Sequence, residues 1–204
     1  MLLNRELALI IFRKVRNIQV DYKAYVLDGK NNHLSVEDLQ RVIEQMYKIE
    51  IVKTQVAFQG EYIRGLMERY NKKIRVRVKQ EQPEDWKRFT AVKEMCHGII
   101  DEEEDWSPDG TGRIKDLLIE YSIQNGDEAQ RATQSEAFAE IAAIELLYPF
   151  EFRVSDLKKV ASGEETFVKI AIHHGLPDSM VERALSNQYN EEIARPIWDE
   201  INGN

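Results

Sequence analysis

The residues best placed to do chemistry are Lys93-Glu94-Met95-Cys96-His97. On a helix, positions four apart share a face. Two histidines at that spacing can grip one Zn²⁺, and a glutamate beside the first can activate the metal-bound water. Here Glu94 stands where that base would be and His97 stands at the second ligand position. The first ligand position holds Lys93. A lysine at neutral pH is an ammonium with three donors and no lone pair, and it lies outside the usual zinc ligands. Two readings of Lys93 follow. Its ammonium can fill the space of the metal, pair with Glu136 or Glu94 and donate to His97, or it can point to solvent from the helix surface. Cys96 reads as a small buried apolar residue or as a soft ligand at the cleft. Neighbouring helix positions point about 100° apart, so Cys96 and His97 are poorly placed to share one ion.

These residues need elements to hold them. Apolar positions at three- and four-residue spacing predict helices over 4–27 and 35–47, the second capped by Ser35. Strands are expected over 49–58, 61–70 and about 73–79, with turns at Gln59-Gly60 and Asn71-Lys72. In the last strand Ile74, Val76 and Val78 alternate with Arg75, Arg77 and Lys79, which gives it one wet face. Pro83 and Glu84 open the helix that carries Lys93 to His97, expected to end near Ile100. An acidic run from Asp101 to Asp105 and a Gly-rich loop follow, then helices over 113–124 and 129–148. Shorter helices are expected near 154–161, 164–174, 177–187 and 190–201, the last broken around Pro196. The expectation is an α+β fold, mainly helical, with a small antiparallel three-stranded sheet before the motif helix. Residues 1–150 would form one domain and 151–204 a helical tail packed on it.

The helix after the acidic run carries Glu136-Ala-Phe-Ala-Glu-Ile-Ala-Ala-Ile-Glu-Leu-Leu-Tyr-Pro149. With Phe89-Thr90 in register ahead of Lys93, the chain resembles the ImmA/IrrE family of metallopeptidases. That family has an F-T-x-x-H-E-x-x-H helix and then a helix of the form E-x-x-A-x-x-F-A-x-x-L-L-x-P. Glu136, Ala139, Ala143, Leu146, Leu147 and Pro149 match the second pattern, and Ala142 replaces its phenylalanine. The resemblance covers roughly residues 35–150. It implies a zincin-like fold with metal ligands at position 93, His97 and Glu136, and Glu94 as catalytic base. Relatives act in phage and mobile-element control by relieving a helix-turn-helix repressor, and others regulate stress responses.

Composition narrows the setting. The 204 residues carry a net charge of −8, which argues against general affinity for nucleic acid or anionic membrane. One cysteine fits a reducing compartment. Signal-peptide and membrane-span patterns are not found, so the expected location is cytoplasmic. His173 and His174 read as a helix end ahead of Gly175, with metal ligation as the alternative. The pair of helices around Gly175 resembles the helix-turn-helix-like tail of family members, but Arg183 is the only cation its second helix offers. Trp106 would anchor an interface if exposed. The leading expectation is a degenerate metallopeptidase fold without a cofactor, acting on a protein partner such as a repressor or host factor. One alternative is an active zinc endopeptidase that cleaves such a repressor. The other is a DNA-binding regulator working through the C-terminal helices.

Overall fold

The computed structural model describes residues 4–26, 34–58, 63–70, 72–101 and 127–203, with side chains from 134 onward in the last span. His33, the acidic run beyond Asp101, Trp106, the helix expected over 113–124 and the Gln59-Gly60 turn lie outside the described residues. Helix α1 spans Arg5–Tyr25, with the side chain of Asn4 accepting from the first-turn backbone N–H groups. Helix α2 spans Val36–Tyr47, capped by Ser35 as its sequence predicts. Strands β1 (Glu50–Val56), β2 (Gly65–Tyr70) and β3 (Lys73–Lys79) precede α3 (Glu84–Ile100). Then come α4 (Asp127–Leu147), α5 (Phe150–Ser162), α6 (Phe167–His174), α7 (Asp178–Leu185), the short α8 (Asn187–Tyr189) and α9 (Arg195–Asn202). The fold is α+β and mainly helical, with one small sheet among the described residues.

The sheet is mixed, where an all-antiparallel one was expected. Its order is β1-β3-β2; β2 pairs with β3 antiparallel, and β1 pairs with β3 parallel. The cause is a difference in connection length. Only residues 71–72 separate β2 from β3, so these two form a hairpin. Residues 57–64 are long enough to step over one strand position, and β3 returns into the gap beside β1. Alternation in the sequence fixes the faces of β3 but says nothing of which neighbour it takes. Ile74, Val76 and Val78 are buried, and the cations between them are half-exposed.

Helix α3 lies on the buried face of this sheet, and α4 packs along α3. Two glycines permit the close approach. A Cβ on Gly98 would collide with Ile74, and one on Gly65 would collide with Thr90 and come within 2.8 Å of Glu94 Oε1. The tail binds to the same core. Phe12 of α1 meets Trp198 of α9 edge-on at 5.3 Å. Inside, Glu145 of α4 accepts from Tyr189 Oη and Trp198 Nε1, each at 2.8 Å, and pairs with Arg153 at 2.8 Å. The break expected at Pro196 is instead a π-helical turn over Asn190–Ala194 that runs straight into α9. Proline is tolerated in the first turn of a helix, where its missing N–H removes no bond. Helix α5 begins directly after Pro149, earlier than the pattern suggested. Helix α6 ends at His174 with Gly175 in the left-handed conformation, as expected.

Candidate functional site

Lys93, His97 and Asp101 are spaced by four along α3 and its C-cap, so they form one column facing α4. The start of the Glu136 pattern supplies the facing groups. Glu136 Oε2 accepts from Lys93 Nζ at 2.6 Å, and its Oε1 lies 3.2 Å from His97 Nε2. Lys93 Nζ also sits 3.4 Å from Glu94 Oε1. His97 Nδ1 contacts Asp101 Oδ2 at 3.0 Å and Ser135 Oγ at 3.1 Å. Ser135 in turn donates to Asp101 Oδ1 at 2.7 Å. The structure therefore brings together Lys93, Glu94, His97 and Glu136, the residues expected from the sequence.

It does not bring Cys96 to the cleft. Cys96 is fully buried in the apolar core, and that burial, with Glu94 and Asp101 nearby, pushes its thiol far above the usual range. A thiol held neutral is a poor ligand and a poor nucleophile. Two participants were missed, Asp101 and Ser135. Both carried a signal: Asp101 repeats the four-residue step from His97, and Ser135 precedes Glu136. Gly65 had no signal, since its role depends on β2 passing beside α3.

The electrostatics follow from burial and pairing. Burial pulls the Lys93 ammonium down, but the facing carboxylates of Glu94 and Glu136 outweigh it and hold Lys93 above the ordinary lysine range. Burial also opposes charge on His97. Asp101 and Glu136 overcome this and raise its pKa to about 10, so it is an imidazolium at neutral pH. Desolvation would raise Glu136, yet His97 and Lys93 hold it well below the usual carboxylate range. The side chain of Glu136 is 62% exposed, so water screens these pairs and their net contribution to stability is small. Lys93 and His97 are 19% and 7% exposed.

Ser135, His97 and Asp101 are the residue types of a nucleophilic triad, but the geometry is wrong for one. A triad needs serine on one ring nitrogen and the carboxylate on the other. Here both address Nδ1, and the serine gives its proton to the aspartate. The donor set does not fit a zinc ion either. An ammonium occupies the first of the three ligand positions, and only His97 Nε2 and the Glu136 carboxylate remain. Among the described residues no group of three or more His, Cys, Asp and Glu is arranged to hold a metal.

The other candidates lie elsewhere. His174 packs against Tyr148 with the rings tilted at 45° and 4.4 Å apart, and it sits 3.6 Å from Asp156, which also accepts from Tyr148 Oη. Arg183, the cation of the second helix in the tail pair, is exposed and forms an ion pair with Glu140 of α4. Arg75 and Arg77 both pair with Glu68. Among the described residues no helix is long and apolar enough to cross a membrane. No family model matches the chain, and no curated protein matches it closely enough to count as a relative.

Proposed function

We propose that this chain is a degenerate metallopeptidase-fold protein of the ImmA/IrrE kind, with a tethered lysine cation where its relatives hold zinc. It acts by binding another protein in a regulatory role, in the cytoplasm. The class of partner suggested by the resemblance is a repressor or a host factor. The single observation that carries this is the position of Lys93 Nζ, 2.6 Å from Glu136 and 3.4 Å from Glu94. A buried carboxylate left without a cation is strongly destabilising. The ammonium supplies the missing charge with no free lone pair to offer an ion. The fold and the column of Lys93, His97 and Asp101 stay intact while the chemistry of a metal-bound water is lost.

The test is the zinc content of protein purified without chelator, alongside Lys93→His. Wild type is expected to carry far less than one equivalent, and the variant to gain close to one. Stoichiometric zinc in wild type would overturn the proposal and favour an active endopeptidase. A wild-type protein whose affinity for duplex DNA falls steeply with salt would favour the tail as a DNA reader instead.

A further inference from the structure

Glu136 serves two cations at once, one with each oxygen. Both cations are nearly buried, and each already has a carboxylate of its own, buried at Glu94 and partly buried at Asp101. Glu94 lies 3.4 Å from Lys93, and Asp101 lies 3.0 Å from His97. Lys93 and His97 are thus each already paired with a carboxylate before Glu136 is added. Glu136 is the additional anion, and it comes from the solvent side with its side chain 62% exposed. Its fit is also incomplete. His97 Nε2 is buried and has no aligned hydrogen-bond partner, although Glu136 Oε1 is 3.2 Å away. A side chain that exposed gives up little on swinging into water. It would leave behind Lys93 Nζ and His97 Nε2, which lie 2.6 Å and 3.2 Å from the two oxygens of that single carboxylate.

We propose that Lys93 and His97 form a carboxylate-binding site in which Glu136 is the built-in occupant. A carboxylate of a partner protein takes its place on docking. Charge-assisted hydrogen bonds from an ammonium and an imidazolium are about twice as strong as neutral ones. A docked partner covers the solvent side that leaves Glu136 62% exposed, which reduces the screening that weakens the Glu136 pairs. Release of Glu136 couples docking to the free end of that side chain, so the centre is self-blocked until an acidic group arrives. The inference rests on reading this centre as one that binds rather than cleaves.

The test uses the full-length protein with ¹⁵N-labelled histidine. The ring signals of His97 are followed at fixed pH as sodium acetate is added, with sodium chloride at matched ionic strength as control. His97→Gln assigns the signals among the four histidines. In Glu136→Ala, acetate should give a saturable shift with a midpoint in roughly the millimolar range, as suits so small a ligand. In wild type, the tethered carboxylate competes at a high effective concentration, so the midpoint should be about tenfold higher or more. Adding Lys93→Met to Glu136→Ala should weaken acetate by a similar factor. Glu136→Gln, which keeps the shape of the side chain without its charge, still fills the site and should give a midpoint between those of Glu136→Ala and wild type. N-acetylglutamate α-amide and N-acetylalanine then present the carboxylate as a side chain and as a chain end, and the tighter binder identifies the source. A shift that never saturates, that chloride reproduces, or that is equal in wild type and Glu136→Ala overturns the inference. Zinc content of the same wild-type sample reports separately on the proposed function.

Discussion

At position 93 a side chain decides the sign of the charge the centre can accept. An ammonium there turns two carboxylates and an imidazole into a closed set of pairs. Its removal should be felt in stability. Lys93→Met leaves the nearly buried Glu94 carboxylate without its cation and should cost about 3 kcal/mol in urea denaturation. A variant as stable as wild type would mean that Lys93 sits in solvent. His97 makes a second prediction. Its folded pKa of about 10 lies above its ordinary value, so the unfolded chain releases that proton first as pH rises. The stability it contributes is fully present below about pH 6.5, taking the unperturbed histidine value. It is lost as pH climbs from there to about 10. Denaturation midpoints should fall across that window in wild type and fall less in His97→Gln. Equal slopes in the two proteins would place the titrating group elsewhere.

Elements set the distances between these residues. Helix α3 can lie close to β2 because residue 65 has no Cβ. Gly65→Ala should therefore destabilise the protein by about 1–3 kcal/mol through overpacking against Thr90 and Glu94. It should also shift the His97 ring signals, because α3 must move to relieve the clash. A silent substitution would show that β2 has room to retreat. On the other side of the core, Glu145 and Arg153 are both 0% exposed and tie α4 to α5, α8 and α9. Two guanidinium nitrogens of Arg153 lack a hydrogen-bond partner, and the rings of Tyr148 and Tyr189 lie 5.4 Å from its guanidinium carbon. Glu145→Ala should cost about 3–5 kcal/mol because it strands a buried guanidinium. Glu145→Leu combined with Arg153→Met should cost clearly less than the sum of the single changes. Additive losses would mean that the two charges do not act as a pair.

The described residues share one continuous core that reaches from α1 through α3 and α4 to α9. Phe12 against Trp198 joins the first helix to the last. The tail should therefore unfold together with the rest. Far-UV circular dichroism and tryptophan fluorescence, to which Trp198 contributes, should give coincident denaturation curves. An earlier fluorescence transition would show that the tail melts as a separate unit. The net charge of −8 acts at this scale too. It disfavours polyanionic partners at long range. On the proposed reading, an acidic partner group is recognised at short range, by Lys93 and His97.

Local chemistry was readable because it follows from spacing. A four-residue step puts Lys93 and His97 on one helix face wherever that helix lies. Capping by Ser35, the helix end at Gly175 and the alternation of β3 are likewise determined by neighbours in the chain. For Lys93 the sequence left open whether its ammonium pairs with carboxylates or points to solvent, and the packing of α4 on α3 places it between Glu136 and Glu94. The parallel edge of the sheet depended on where the 57–64 connection lands, which strand periodicity does not encode. Glu145 and Arg153 look like ordinary charged helix residues in sequence, and they become a buried pair only through the turn of the chain at Pro149 between α4 and α5. Cys96 shows the same division: the sequence placed it next to His97, and the direction of the core decided that it faces inward. Contacts within one turn or one strand are fixed by backbone geometry, whereas contacts between elements depend on how apolar faces and small residues let those elements approach.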